Sequence, residues 1–246
     1  MSSSKSVDPS PPRITDPHAV PVHGVDSHLP AVMPVFLGVD SIRARFPIPA
    51  GWKSEIPGDG RFSSDRAPAA AAVLVPLVER DDGLHVLLTQ RTAHLKNHPG
   101  QISFPGGKAE PEDPDLEATA LRETWEEIGL DRRHIEIIGR LPTYTTVTRF
   151  VITPVVGFVR PPFDLIPDGH EVAEVFEVPL AFLMNPAHHR RHLYTHDGGS
   201  RQFLSMPWRS RPGANGPREF FIWGATASML RNFYRLLIDA SPVGVT

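Results

Sequence analysis

The chain has no cysteine. That excludes a disulfide framework, a cysteine nucleophile and a zinc–thiolate site, and it fits a reducing compartment. It also lacks an excess of either charge: 25 Lys and Arg stand against 28 Asp and Glu, a formal net charge of −3. With no basic surplus to neutralise a phosphate backbone, a nucleic-acid partner is not expected. No apolar run approaches the roughly 20 residues that span a bilayer, so no membrane partner is expected either. No basic stretch followed by an apolar one opens the chain, and its last residues, Val243-Gly244-Val245-Thr246, are no peroxisomal address. A cytoplasmic protein is the expectation. No repeat of about 20–50 residues recurs.

What is present fits a globular chain of 246 residues, long enough for one large domain or two small ones. Proline is unevenly spread. Residues 1–35 hold Pro9, Pro11, Pro12, Pro17, Pro21, Pro30 and Pro34 with few large apolar side chains, and they read as a flexible tail. Its His18, His23 and His28 read as incidental. Residues 36–68 read as a covering segment or linker, with a short helix over Val39–Phe46 capped by Asp40 or Ser41. Residues 69–240 carry the patterned elements, and 241–246 a C-terminal tail.

Within 69–240 the apolar run Ala69–Val78 predicts a buried strand. Asp81-Asp82-Gly83 predicts a turn into a returning strand, Leu84–Arg91. A polar loop over 92–101 leads to a short strand at Ile102–Phe104 and then to Pro105-Gly106-Gly107. A helix follows, capped by Asp113 or Asp115 and stopped by Gly129, with Leu121, Trp125 and Ile128 as its apolar stripe. Strands are expected at His134–Leu141, at Phe150–Val159 (with a bulge or an edge position at Pro154 and Gly157) and at Glu171–Val178, then a helical turn at Pro179–Met184. The polar stretch 186–219 allows short strands at His192–Thr195 and Phe203–Trp208. A closing helix, Ala225–Ile238, places Met229, Leu230, Phe233, Leu236 and Leu237 at core spacing. The sum is an α+β fold in which helices cover a mixed sheet.

The chemistry concentrates on one helix face. Glu123, Glu126 and Glu127 stand at i, i+3 and i+4 and project together. Three ionised carboxylates so close repel one another, and a hard divalent cation with oxygen ligands, Mg²⁺ or Mn²⁺, would compensate them. A solvated acidic face is the commoner meaning of such spacing, which alone leaves both readings open. The glycine turn just upstream favours the cation, because it lets backbone carbonyls or amides approach an ion or a phosphate. The turn is no P-loop, since no Gly-Lys-Ser/Thr follows.

These residues carry a resemblance. GGKAEPEDPDLEATALRETWEEIGL resembles the signature of the Nudix hydrolases, a glycine and an acidic residue followed by Arg-Glu-x-x-Glu-Glu-x-Gly, with Arg122, Glu123, Glu126, Glu127 and Gly129 in place. Asp113 stands where the signature has Glu, one extra residue separates it from Arg122, and Thr124 holds a usually apolar position. Upstream, LLTQRTAHLKNHPGQISFPGG is similar to the added motif of the coenzyme A diphosphatase branch, with Lys96 where Arg is common. Together the motifs cover Leu87–Leu130. Weaker similarity continues through TPVVGFV, EVAEVFEVPL and FIWGATA.

The resemblance implies a Nudix-type α/β/α sandwich with a mixed β-sheet. It also implies metal-dependent hydrolysis of the diphosphate bond of coenzyme A or its derivatives, giving adenosine 3′,5′-bisphosphate and 4′-phosphopantetheine. Alternatives are a hydrolase of ADP-ribose or another nucleoside diphosphate derivative, and a non-catalytic nucleotide-sensing Nudix module. A sensor would be expected to lack a helix glutamate and to carry a DNA-binding region, and neither holds here. Carried over by residue, Glu123, Glu126, Glu127 and the Gly106 carbonyl would bind Mg²⁺ or Mn²⁺. Arg122 would orient a glutamate by ion pairing, and Glu126, Glu171 or Glu174 would serve as general base. Arg91, Lys96, His98 and Gln101 would meet the small-molecule substrate. A homodimer is left open. The basic run of His188, His189, Arg190, Arg191, His192 and His196 matches no standard zinc motif. It is expected to be solvated loop, with a contact from Arg190 or Arg191 to a 3′-phosphate as the second reading.

Overall fold

A computed structural model describes residues 14–60, 67–95, 98–196, 199–210 and 216–239. A short strand, β1 (Val22–Val25), and a short helix, α1 (Val39–Arg43), come first. The hairpin follows, with β2 (Ala69–Arg80) returning as β3 (Gly83–Arg91) and Arg80 opposite Gly83. Gly83 takes a φ of 118°, which a side chain would resist. The two strands pair only from Leu77 to Arg80 on β2 and then part. Two short strands fill the fork: β4 (Ile102–Ser103) pairs with β3, and β5 (Gly106–Lys108) with the start of β2. The glycine turn is thereby held between the arms of the hairpin, where the Leu74 N–H donates to the Pro105 carbonyl at 2.9 Å.

The remaining elements are α2 (Leu116–Ile128), β6 (Ile135–Arg140), β7 (Tyr144–Thr145), β8 (Phe150–Val159), β9 (Val172–Pro179), α3 (Leu180–Leu183), β10 (Arg190–His196), β11 (Gly199–Arg209), β12 (Glu219–Trp223) and α4 (Gly224–Asp239). In the larger sheet β2 runs parallel to β8 while its other pairings are antiparallel, and β9 lies along β3. The second sheet, β1-β10-β11-β12, is antiparallel. Ala71 to Val78 are buried without a break, as befits a strand covered on both faces. On one face Ala72, Leu74 and Val155 meet Ala120 of α2, and Val78 and Leu87 meet Ile128. On the other, Val73, Val75, Leu77, Val86 and Leu88 share a core with Leu230, Phe233 and Leu237 of α4 and with Leu204, Met206 and Ile222 of the second sheet. This is the α+β sandwich with a mixed sheet that the resemblance implied. Among the described residues no helix is long and apolar enough to cross a membrane.

Four local expectations need correction. The described part of the tail, residues 14–35, is built into the fold. β1 pairs with β10, Ile14 and Val20 pack on Phe203, and the Asp26 carboxylate meets Arg191 at 2.6 Å. Backbone pairing and one buried carboxylate anchor it, where a count of large apolar residues saw little to hold. At α1, Gly38 occupies the N-cap position in place of Asp40 or Ser41. β8 is no edge strand, since it lies between β2 and β6; of the two alternatives the bulge is found, opposite Gly157, but its extra residue is on β6, between Ile137 and Gly139. The basic run from His188 is not a solvated loop. Most of it is β10, in which His192 is buried, bonded to the Val20 carbonyl and the Ser205 hydroxyl.

α2 departs from expectation in its orientation. Asp115 is its cap, accepting from the Ala118 N–H at 2.8 Å, and Gly129 ends it at φ 66°. Its buried residues are Thr119, Ala120, Thr124, Glu127 and Ile128; Trp125 is 54% exposed and does not belong to an inward stripe. Thr124 is tolerated there because its hydroxyl donates to the Ala120 carbonyl at 2.6 Å.

Candidate active site

The helix, the glycine turn and the end of β3 meet at one place. Because α2 turns the 120–124–127 line toward the sheet, Glu127 is only 8% exposed. Its Oε2 accepts the Gly106 N–H at 3.1 Å. Arg91, the last residue of β3, places Nη1 3.7 Å from Glu127 Oε1 and Nη2 3.6 Å from Glu171 Oε2. Burial raises the Glu127 pKa to about 7, against the opposing pull of the Gly106 amide and Arg91. Glu123 is raised by the same cause.

A second cluster holds the outer side of the helix. The Arg122 guanidinium sets Nη1 3.1 Å from Glu123 Oε1 and 3.0 Å from Glu126 Oε2. Its Nε and Nη2 donate to the two oxygens of Asp113, each at 3.0 Å, and Nη2 also to the Lys108 carbonyl at 3.1 Å. Arg122 thus ties the acidic loop, the glycine strand and the helix together. The guanidinium holds the Asp113 carboxyl well below the usual carboxylate range. By spacing Asp113 is a cap candidate or a stand-in for the signature's Glu; its part as the bidentate partner of Arg122 appears only once the loop folds back over the helix.

Residues 67–196 match a NUDIX domain. The chain belongs to the Nudix family. Among similar proteins, the uncharacterized Nudix hydrolase NudL of Salmonella newport (strain SL254) is 42% identical over 163 residues, spanning 65% of this chain and 79% of that one. Its counterpart in Enterobacter sp. (strain 638) is 40% identical over the same spans. Among solved structures, a MutT/nudix family protein from Enterococcus faecalis overlaps with a TM-score of 0.43 at 18% identity, over 72% of this chain and 65% of that one. The protein is a Nudix hydrolase.

Nudix hydrolases generally use divalent ions such as Mg²⁺ or Mn²⁺. The donors fit such an ion in kind, being hard carboxylate oxygens without sulfur. The buried Glu127, whose proton is retained to about pH 7, is a group a cation would relieve. Among the described residues, however, no three carboxylate or imidazole side chains converge closely enough to hold an ion as they stand. The cause is local: Arg122 lies between Glu123 and Glu126, and Arg91 lies against Glu127. The Glu126 side chain, 55% exposed, has the room to turn inward.

The other candidates of this Nudix hydrolase fall as follows. Gly106 meets Glu127 through its amide. Glu171 shares Arg91 with Glu127, whereas Glu174 pairs with Arg218. Gln101 lies beside Arg91, its carbonyl accepting the Arg91 N–H at 2.9 Å, and its own N–H donates to the His98 carbonyl at 3.2 Å. Lys96 lies outside the described residues. Arg191 is engaged by Asp26 and Glu55, while Arg190 is exposed.

In the sequence Gly107 is half of a glycine turn, and nothing local marks a further role. A Cβ there would sit 2.5 Å from the Glu123 carboxylate, so the missing side chain is what lets that carboxylate lie against the strand. Gly107→Ala should therefore fold normally, since a carboxylate can swing aside, yet lose roughly tenfold or more in kcat with Glu123 displaced. Full activity with an unchanged melting temperature would show that the Glu123 position does not matter.

Proposed function

We propose that this Nudix hydrolase cleaves the diphosphate bond of coenzyme A or its derivatives, using Mg²⁺ or Mn²⁺. One observation carries the reading: the two halves of the Leu87–Leu130 segment close on each other, with Arg91 from the loop half reaching Glu127 from the helix half. The residues that resemble the coenzyme A motif therefore border the carboxylates that resemble the hydrolytic motif. Water adds across the P–O–P bond, and the products are adenosine 3′,5′-bisphosphate and 4′-phosphopantetheine.

Glu123, Glu126, Glu127 and the Gly106 carbonyl would hold the ion. When bound, the ion offsets the charge of the diphosphate and makes hydroxide available near neutral pH. Arg122 fixes the outer carboxylates through Asp113. Glu126 and Glu171 are the candidates for accepting the water proton, since both are partly exposed and border the cluster. Glu174 is the weaker candidate, being held by Arg218. His98 and Gln101 flank Arg91 on the loop that would meet the anionic substrate, together with Lys96.

The test is a panel of coenzyme A, acyl-coenzyme A, ADP-ribose and dinucleoside polyphosphates, each with Mg²⁺ or Mn²⁺, ranked by kcat/KM. Coenzyme A or an acyl form should lead by at least about tenfold, the scale set by one or two lost polar contacts. A lead for ADP-ribose would keep the hydrolase and remove coenzyme A as its substrate.

A further inference from the structure

Arg91 is held by its backbone more firmly than its place on a loop border would require. Its N–H donates to Gln101, the next residue's N–H donates to the Glu171 carbonyl, and the Thr92 hydroxyl donates to the His170 carbonyl, each at 2.9 Å. The β3–β9 register shifts between Gln90 and Arg91, with the extra residue, Ala173, on β9, so β3 keeps its alternation through Arg91. Leu87, Thr89 and Arg91 share one face of the strand, and Leu87 packs against Ile128 of α2. The guanidinium consequently enters the carboxylate cluster from the sheet side. Its two contacts, at 3.7 and 3.6 Å, are too long for strong hydrogen bonds, so they are charge attractions that exchange readily. The side chain is 27% exposed and has an open direction in which to move.

We propose that Arg91 and a divalent cation compete for the Glu127 and Glu171 carboxylates, so that the cation's arrival turns the Arg91 guanidinium toward the anionic diphosphate. The proposal rests on the metal reading above. A divalent ion bound at Glu127 and a guanidinium a few ångströms away repel each other, and both cannot keep the same oxygens. Once displaced, the guanidinium remains anchored at the cluster's edge, where its planar donors suit two phosphate oxygens. Arg91 is then a positioning residue before substrate arrives and a substrate contact afterwards. Cation and substrate would bind cooperatively, because each favours the same arrangement of Arg91.

Mn²⁺ binding is measured by calorimetry on the full chain without substrate, at about pH 8.5, above the ordinary carboxylate range. Arg91→Gln should bind Mn²⁺ roughly tenfold tighter than wild type, while KM for the diphosphate substrate rises roughly tenfold and kcat changes less. Arg91→Lys, which keeps the charge without the fork, should fall between the two, and it carries the test if the glutamine variant does not fold. Equal or weaker Mn²⁺ affinity in a folded Arg91→Gln protein overturns the competition. A wild-type protein that binds no Mn²⁺ overturns the metal reading and the competition together.

Discussion

Glu127→Gln is expected to fold and to lose turnover by roughly two to three orders of magnitude. Glutamine keeps the volume of a buried side chain and can still accept the Gly106 N–H, so the helix–turn contact survives. What disappears is the negative charge at the innermost point of the cluster. A metal ion contributes several kcal/mol of transition-state stabilisation, and each 1.4 or so is about tenfold in rate. On the proposed metal reading Glu127 is one of the ligands, and its loss would forfeit much of that. The measurement is kcat with Mn²⁺ beside a thermal melt in chelator. Near-normal kcat in a folded Glu127→Gln protein would remove Glu127 from the metal site.

The same variant tests the electrostatics through pH. Burial raises Glu127 from 4.5 to about 7, so the folded chain keeps a proton that the unfolded chain gives up. The group's contribution to stability is complete below pH 4.5 and is lost as pH rises through 7, a swing of about 3 kcal/mol at most. In chelator, wild type should therefore weaken between about pH 5 and pH 8 relative to Glu127→Gln. Mn²⁺ needs the ionised form, so its binding should release protons near pH 6 and stabilise wild type more at pH 8. A constant difference in melting temperature between the two proteins across that range would refute the shifted carboxyl.

Much of this arrangement was legible because its signals are local. Asp82-Gly83 marks a turn, Asp115 and Gly129 bound a helix, and the strands at Ala69, Phe150 and Glu171 announce themselves by apolar runs or alternation. The spacing of Glu123, Glu126 and Glu127 likewise needs no partner to be seen. The orientation of α2 is not local: the apolarity of Trp125 points it inward, while the structure leaves it exposed. Helix rotation is set by what the whole face meets, and that face carries Glu127 to Gly106. Contacts across long separations were out of reach: Arg91 meets Glu171, and Arg191 meets Asp26 across 165 positions. A polar run such as His188–His196 looks solvated until a strand from the N-terminal segment pairs with it.

That N-terminal segment is held in part by a buried arginine, Arg231, whose loss is the second large expected effect. Arg231 on α4 is 2% exposed. Its Nη1 stands 3.0 Å from Asp26 Oδ2, and its Nε donates to Glu55 Oε2 at 2.7 Å. Nη1 also contacts His189 Nδ1 at 3.1 Å, while His189 Nε2 meets the Leu183 carbonyl at 2.8 Å. The bonds assign His189 as the neutral tautomer protonated on Nε2. Burial lowers its pKa to about 4, so its stabilising contribution holds above pH 6.5 and is lost as pH falls toward 4. Arg231→Met fills similar volume but leaves Asp26 and Glu55 short of a partner. Breaking one side of a buried pair costs about 3–5 kcal/mol; Arg191 still reaches both acids, so the lower end is expected. Denaturant melts should show that loss, and hydrogen exchange should quicken around Asp26 and Glu55 with little change at Glu127. In a double-mutant cycle, Asp26→Asn with Arg231→Met should cost less than the sum of the single changes. Strict additivity, or a loss below about 1 kcal/mol, would mean that Arg231 adds little and that Arg191, backbone pairing and apolar packing hold β1 and the segment after it.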